Sequence, residues 1–122
     1  MSLWRRWLGQ QGEDVAARFL RRQRYAILAR NYRCPLGEVD LVALEKSVVV
    51  FVEVKTRRDD AFGTPAEAVD RRKRRQLQRV AEYYLGSHRL EERDARFDVV
   101  EVHWGHNGPR CSLIRDAFHL DD

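Results

Sequence analysis

The stretch of residues 48–54 constrains the fold more than any other part of the chain. Five of its seven residues are valine, one is phenylalanine, and only Glu53 is charged. A continuous run of β-branched residues is typical of a strand that is buried on both faces. Residues 37–42, which precede the run by a short connection, alternate between apolar and acidic side chains. We therefore expect two adjacent strands, over about 38–45 and 48–57, at the centre of a covered sheet.

The rest of the chain supplies elements that can cover such a sheet. Apolar residues recur at helical spacing over about 11–24 and predict a first helix. A second helix is predicted over about 65–85, where Thr64 can cap the first turn. Three more segments have the character of strands, and they lie at about 26–33, 95–104 and 111–118. The resulting order, α-β-β-β-α-β-β, predicts an α/β fold in which helices flank a central mixed sheet.

Length and composition bound the class of protein. The 122 residues suffice for one domain, 1–122, in which we expect residues 1–10 to be a flexible segment. The formal net charge of +4 permits a polyanionic partner. Two widely separated cysteines predict neither a disulfide framework nor a metal site. Because no apolar stretch has the length of a signal peptide or a membrane span, we expect a cytoplasmic protein without a membrane partner.

Charged residues interrupt the two central strands at two-residue spacing. On the first strand Glu38 and Asp40 are two positions apart, as are Glu53 and Lys55 on the second. Residues two apart on a strand share a face, so pairing of the two strands gathers three carboxylates and one amine. Like charges this close repel each other, and a bound divalent cation would compensate the repulsion. The alternative is a solvated face with cross-strand ion pairs, although charged residues are unusual in a strand buried on both faces.

This set of residues meets the requirements of phosphodiester hydrolysis. The reaction needs an activated water, positive charge on the phosphoryl group and help for the leaving oxygen. Asp40 and Glu53 could hold Mg²⁺ or Mn²⁺, and the backbone carbonyl of Val54 is within reach as a further ligand. Lys55 could orient the attacking water or stabilise the charge that develops on phosphorus. Glu13 could close the site from the first helix.

A second polar feature is the basic sequence of the predicted second helix. Lys73 falls within its apolar stripe and Gln76 near the edge of that stripe, so the lysine needs a partner or a use. Arginines on the far side are either a solvated face or contacts for the phosphates of a nucleic acid, and they include Arg71, Arg72 and Arg75. Arg57 and Arg58 extend the positive charge toward the predicted site. The four histidines have no metal-binding spacing, and we interpret them as surface or turn residues.

Several motifs together resemble a known bacterial family. Their sequences are GED, ARNYR, GEVDL, VEVKTR, PAEAV, RFDVV and IRDAF, at residues 12–14, 29–33, 37–41, 52–57, 65–69, 96–100 and 114–118. The chain is similar in these motifs to the YraN family, and the resemblance extends over about residues 10–119. It implies the restriction-endonuclease-like core that is shared with Holliday-junction resolvases and the wider PD-(D/E)xK nuclease superfamily.

The resemblance also implies roles for individual residues. It matches the metal-binding aspartate of the superfamily to Asp40 and the Glu-x-Lys pair to Glu53 and Lys55. The helix-one glutamate of the resolvase-like branch matches Glu13. Glu38 has no fixed role in the superfamily, and we expect it to support the ligands or to face the substrate. The implied protein is an endonuclease that depends on Mg²⁺ or Mn²⁺ and acts on DNA, including branched intermediates of recombination or repair.

Two other hypotheses stay open at this point. A nucleic-acid-binding module without catalysis would bind through the basic helix and would not need Asp40. An interaction subunit would instead dock the same helix on an acidic protein. Many resolvase-like proteins act as dimers, so a homodimer is also open, with residues from Trp104 onward available for its interface.

Overall fold

The structure, a computed structural model, describes residues 3–58 and 70–118, without the side chains of residues 3–8 and Arg58. Within these residues it contains two helices and five strands in the order α-β-β-β-α-β-β, which confirms the predicted α/β core. The elements are α1 (Leu3–Arg22), β1 (Ala26–Cys34), β2 (Gly37–Glu45), β3 (Val48–Arg58), α2 (Arg71–Ser87), β4 (Ala95–Gly105) and β5 (Gly108–Ile114).

The five strands form one mixed sheet in the order β1-β2-β3-β4-β5. Strands β3 and β4 are parallel, whereas the other neighbouring pairs are antiparallel. A parallel pair cannot be joined by a tight turn, so the chain crosses over between β3 and β4, and α2 lies in this crossover. β3 therefore occupies the centre of the sheet, as its valine-rich sequence predicts.

Each face of the sheet is covered by one helix. On the face that we call the α2 face, Leu77 of α2 packs in one core with Phe51 of β3. On the opposite face, which we call the α1 face, Leu20 of α1 packs with Val50 and Val52. Neighbouring residues of β3 thus alternate between two cores, which is the two-residue period of a strand. The continuous apolar run of β3 exists because both of its faces are buried.

Helix α1 begins earlier than predicted. It starts at Leu3 rather than near residue 11, so residues 3–10, expected as a flexible segment, are helical. Once the packed part of a helix has formed, each added residue costs little, and no proline interrupts these turns. In the described part of the chain, neither helix is long and apolar enough to cross a membrane.

Helix α2 begins later than predicted. Asp70 has extended backbone angles, and its carboxylate accepts the backbone N–H of Lys73 at 2.9 Å. Aspartate is a preferred N-cap, and this cap starts the helix at Arg71. A continuous helix from about 65 is therefore wrong, while the predicted cap Thr64 lies outside the described residues.

Strand β5 is shifted toward the N-terminus relative to the prediction of 111–118. It already begins at Gly108, whose φ of 96° suits glycine, and it ends at Ile114. Proline often marks a turn, so the sequence favours a strand that begins only after Pro109. Proline is also tolerated in an edge strand, and β5 is at the edge of the sheet.

A buried carboxylate on β4 ties the C-terminal segment to the sheet. Asp98 is 1% exposed and accepts hydrogen bonds from Tyr25 Oη at 2.8 Å, Arg96 Nε at 3.0 Å and the backbone N–H of Asp116 at 2.9 Å. Burial, and then the hydrogen bond with Asp98, raise the pKa of Tyr25 to about 12, so its hydroxyl stays a donor at neutral pH. Asp98 is thus a buried structural carboxylate that is paired with Arg96.

Candidate active site

The candidate site lies where β2 and β3 stop pairing. The antiparallel pairing of β2 with β3 extends from the turn between them to Leu41, which lies opposite Val52, and ends there. Beyond that point, the carboxylate of Asp40 accepts the backbone N–H of Val54 at 2.8 Å. In return, the backbone N–H of Asp40 donates to the carboxylate of Glu53. Where the two strands separate, these two side chain–backbone hydrogen bonds take the place of the backbone–backbone hydrogen bonds of the sheet. They hold the carboxylates of Asp40 and Glu53 close together.

Two lysines from different elements approach Glu53. The alternation of β3 directs Glu53 and Lys55 to the α2 face. Lys55 Nζ lies 4.0 Å from Glu53 Oε2, and Lys73 Nζ, from the first turn of α2, lies at the same distance. The position of Lys73 in the apolar stripe of its helix is explained by this contact, because Glu53 is only 5% exposed and needs positive charge.

The two carboxyl groups are poorly suited to carrying two negative charges. Burial, and secondarily the charge of Asp40, raise the pKa of Glu53 to about 7, although Lys73 and Lys55 oppose the shift. Burial also raises the pKa of Asp40, against the opposing hydrogen bond from Val54. An added positive charge between the carboxylates would favour their ionised forms.

The donor atoms of the site suit a hydrated divalent cation. Asp40 and Glu53 provide carboxylate oxygens, which are ligands that Mg²⁺ and Mn²⁺ prefer. In the part of the chain that the structure describes, no three His, Cys, Asp or Glu side chains are grouped so that they could hold a metal ion. Mg²⁺ is commonly held by one or two carboxylates and keeps several waters, so the pair of acids fits it. The carbonyl of Val54 stays a predicted additional ligand.

Glu13 approaches Asp40 from α1. Helix α1 sits tightly on β3, because a Cβ added at Gly12 would be 2.2 Å from Thr56 Oγ1. Burial raises the pKa of Glu13, and the charge of Asp40 raises it further. Glu13 is therefore coupled electrostatically to Asp40, although α1 covers the face of the sheet opposite to Glu53. Its role as a metal ligand stays a prediction.

Glu38 stands at the exposed start of β2. Its Oε2 atom is 3.2 Å from Arg33 Nε, and both side chains are largely exposed. Its charge contributes to the raised pKa of Asp40, but less than the burial of that group does. Glu38 thus lies at the rim of the site, and its predicted supporting role stays a prediction.

A basic groove begins beside Lys73 and follows the first half of α2. Its volume is about 820 Å³, and it is lined by Leu36, Asp70, Arg71, Arg72, Lys73, Arg75, Gln76 and Arg79. Gln76 also covers the start of β2, since a Cβ added at Gly37 would be 2.8 Å from Gln76 Nε2. The structure therefore brings the predicted phosphate-binding residues of α2 together in one groove.

Comparison with known proteins identifies the family of the chain. The profile described as "Uncharacterised protein family UPF0102" matches residues 12–102. The chain belongs to this family. UPF0102 is the YraN family, so the interpretation drawn from the sequence motifs is confirmed.

Several curated UPF0102 proteins match the chain over nearly its whole length. A UPF0102 protein of Moorella thermoacetica is 56% identical over 121 residues, which cover 97% of this chain and 100% of the relative. One of Symbiobacterium thermophilum is 51% identical over 115 residues, covering 93% and 98%. One of Syntrophotalea carbinolica is 51% identical over 121 residues, covering 99% and 98%.

The site of this UPF0102 protein adjoins two residues that the sequence analysis missed. Glu101 of β4 is 5% exposed, and its Oε2 atom lies 3.5 Å from the Nε of the predicted substrate contact Arg57. The other oxygen of Glu101 lies 2.5 Å from His103 Nε2. The sequence does contain a pattern that could have indicated them. Glu101 and His103 are two polar residues two positions apart in an apolar strand, as Glu53 and Lys55 are. The side chain of Arg58 lies outside the described part of the structure.

Proposed function

We propose that this UPF0102 protein is a metal-dependent nuclease that hydrolyses phosphodiester bonds in DNA. The observation that carries the proposal is the adjacent pair of acids, Asp40 and Glu53, with Lys55 and Lys73 directed at the second of them. Buried carboxyls with raised pKa values are typical of functional sites. Mg²⁺ or Mn²⁺ held by this pair would supply positive charge to the phosphoryl group and lower the pKa of an attacking water.

The groups of the chain itself would position the substrate and the water. Lys55 and Lys73 come from β3 and α2, so their ammonium groups approach Glu53 from two elements. One ammonium could donate to a non-bridging phosphate oxygen, where it would stabilise the charge that develops in the transition state. The other could orient the attacking water. The hydrogen bond from Val54 would keep the Asp40 carboxylate in place during this reaction.

The basic groove supports a polyanionic substrate. It adjoins the acidic pair through Lys73 and is lined by four arginines of α2. Contacts from arginine and lysine side chains to phosphates supply most of the sequence-independent affinity of proteins for nucleic acids. A site for a small molecule is usually more enclosed and more apolar than this groove. We therefore propose nucleic acid as the substrate, and we propose DNA because the resemblance to the nuclease superfamily implies it.

A cleavage assay tests the proposal. The parent is incubated with Mg²⁺ or Mn²⁺ and with single-stranded, duplex, flap and four-way-junction DNA, alongside a matched RNA duplex. We expect cleavage of at least one DNA substrate that disappears in EDTA. Asp40→Asn, Glu53→Gln and Lys55→Met should each lower the cleavage rate about 100-fold or more, because the first two weaken binding of the metal ion and the third removes a positive charge beside the reacting phosphate.

The matched control for these variants is Glu82→Gln. Glu82 is an exposed carboxylate on α2 that accepts a hydrogen bond from Gln78 at 2.9 Å, so this variant should cleave at the parental rate. Cleavage by Asp40→Asn at the parental rate would contradict the assigned site. Absence of cleavage on every DNA and RNA substrate with both metal ions would contradict the nuclease itself.

The alternative function is a nucleic-acid-binding module without catalysis. The observation that favours it is the position of the basic groove on α2, since most of its lining is independent of Asp40 and Glu53. This function predicts salt-dependent DNA binding that survives Asp40→Asn and is lost when Arg71, Arg72 and Arg75 are neutralised. The same cleavage assay, combined with binding measured in EDTA, separates the two functions.

A further inference from the structure

Asn31 of β1 has a backbone angle that is typical of turns rather than of strands. Its φ is 51°, in the left-handed region that residues other than glycine adopt at a cost. In the described part of the chain, the other non-glycine residues with positive φ all lie in turns, and they are Arg24, Lys46, Arg89 and Asp116. Such an angle inside a strand persists only where neighbouring contacts hold it, and it is often found at functional sites.

This strand residue lies opposite the candidate metal ligand Asp40. β1 and β2 are paired on both sides of this level, through Arg30 with Leu41 and through Tyr32 with Val39. Because antiparallel pairing advances by one residue on each strand, the residue between Arg30 and Tyr32 faces Asp40. The unusual backbone angle of β1 thus occurs at the level of the candidate active site.

Both strands change the direction of their side chains at this level. Val39 and Val42 of β2 pack in the same core on the α2 face, although residues three apart on a regular strand point to opposite faces. On β1, Ala29 and Tyr32 are also three apart, and both pack against that core. A left-handed residue interrupts the alternation of a strand, so Asn31 accounts for the change on β1.

The side chain of Asn31 reaches helix α1. Burial, and then the charge of Asp40, raise the pKa of Glu13, and a hydrogen bond with Asn31 opposes them. Because this bond favours the ionised carboxylate, the amide of Asn31 is its donor. The preceding residue, Arg30, forms an ion pair with Asp14. Two adjacent residues of β1 therefore hold two adjacent residues of α1.

The hydrogen bond from Asn31 matters because Glu13 and Asp40 repel each other when both are ionised. The charge of Asp40 disfavours an ionised Glu13, as does the burial of Glu13 itself. A donor on the charged form offsets this effect and fixes the direction of the carboxylate. Groups that donate to metal ligands act in the same way.

We propose that Asn31 is a positioning residue of the candidate active site, which turns β1 at the level of Asp40 and holds the Glu13 carboxylate beside it. This inference rests on the proposed function and adds to it a residue that acts through Glu13. Glu13 would then support the hydrated Mg²⁺ or Mn²⁺ that Asp40 and Glu53 hold. The left-handed backbone of Asn31 is a cost to stability that serves this site.

Asn31→Gly separates a positioning role from a structural one, because glycine adopts a positive φ without strain and only the side chain is lost. The Tm of this variant in EDTA should stay within about 3 °C of the parental value or exceed it, since relief of strain offsets the lost hydrogen bond. Its Kd for Mn²⁺ at pH 8 without DNA, measured by electron paramagnetic resonance of the free ion, should rise about 10-fold.

Lys46→Gly is the matched control. Lys46 has a φ of 55° in the turn between β2 and β3, so glycine relieves the same kind of strain away from Glu13. This variant should equal or exceed the parental Tm and should bind Mn²⁺ with the parental Kd.

Glu13→Gln tests whether Asn31 acts through Glu13. This variant should itself weaken Mn²⁺ binding, because it removes a charge near Asp40. Adding Asn31→Gly to it should raise the Kd by less than about 2-fold more, since residues that act as one unit are not additive. Full multiplication of the two effects would overturn the proposed route through Glu13.

The remaining outcomes separate this inference from the proposed function. If the parent binds Mn²⁺ and cleaves DNA while Asn31→Gly keeps the parental Kd, the positioning role is wrong and the proposed function stands. A Tm of Asn31→Gly more than about 6 °C below that of the parent in EDTA would also overturn it, by assigning Asn31 a structural role. If the parent binds no Mn²⁺ and cleaves no DNA, the inference fails together with the proposed function.

Discussion

At the scale of single residues, two opposing effects act on the ionisation of Glu53. Its burial next to Asp40 disfavours the ionised carboxyl, while Lys55 and Lys73 favour it. The pKa of about 7 is the balance of these effects. In the unfolded chain the same group would titrate near 4.5, the ordinary value for glutamate. The folded protein therefore retains a proton on Glu53 in a pH range where the unfolded chain has lost it.

This difference predicts a pH dependence of stability. Between about pH 4.5 and 7 the folded state binds more protons than the unfolded state, so stability conferred by Glu53 is present below pH 4.5 and is lost as pH rises to 7. Glu53→Gln cannot ionise and should be more stable than the parent at pH 8, by about 1–3 kcal/mol. Thermal unfolding at pH 4.5 and pH 8 in EDTA measures the difference.

The effect of added Mg²⁺ or Mn²⁺ on the Tm tests the role of Glu53 in a second way. At pH 8 the ion should raise the Tm of the parent by binding the folded state, and should raise that of Glu53→Gln less. Glu82→Gln should follow the parent, because Glu82 is exposed and remote from this pair. Parallel pH profiles for the parent and Glu53→Gln would show that the burial of Glu53 has no such effect.

At the scale of elements, the approach of α1 to β3 depends on a glycine. A Cβ at Gly12 would come within 2.2 Å of Thr56 Oγ1, so either the threonine side chain or the helix would have to shift. The next residue, Glu13, is the one that approaches Asp40. A shift of α1 would therefore disturb both the packing on the α1 face and the position of Glu13.

Gly12→Ala should destabilise the protein by about 1–3 kcal/mol through overpacking, measured by urea unfolding. The additional Thr56→Ala change should recover part of this loss, because it removes the closest atom, whereas Thr56→Ser should recover less. Gly9→Ala is the matched control on the same helix, since nothing lies within 4 Å of an added Cβ there. That control should be neutral or stabilising by up to about 1 kcal/mol, given the higher helix propensity of alanine. Equal effects at Gly9 and Gly12 would contradict the close approach.

At the scale of the whole molecule, Asp98 joins segments that are distant in the chain. Its carboxylate accepts hydrogen bonds from Tyr25, before β1, from Arg96 on β4 and from Asp116, beyond β5. Arg96 also contacts Glu45, at the end of β2, with 2.6 Å between Arg96 Nη2 and Glu45 Oε1. This network of hydrogen bonds connects β4 with β2 and with the residue before β1, and it holds the segment that follows β5.

Asp98→Asn should therefore lower the stability of the whole protein. We expect a loss of about 2–4 kcal/mol in urea unfolding, because the change removes the charge that balances Arg96 in a buried position. Asp94→Asn, an exposed residue just before β4, should change stability by less than about 0.5 kcal/mol. A loss for Asp98→Asn no larger than that of the control would indicate that the network contributes no net stability.

The part of the site that could be predicted from the sequence is the part that depends on local periodicity. The spacing of Glu53 and Lys55 places both side chains on one face of any strand. Their strand was expected to pair with the strand of Asp40 because the connection between the two is short. The predicted boundaries were less accurate where local signals compete, as at Pro109, which fits both a turn and an edge strand.

What the sequence by itself determined is the order of elements, the central place of β3 and the pairing of its acids with those of β2. These features follow from hydrophobic period and chain connectivity, which are local. Only the tertiary structure decided that Lys73 reaches Glu53 and that Arg57, His103 and Arg110 lie side by side in the register of β3, β4 and β5. The parallel pairing of β3 with β4 sets that register, and α2 lies within the crossover that joins the two strands. The register of a parallel pair depends on packing across the whole sheet, so no local pattern in the chain contains it.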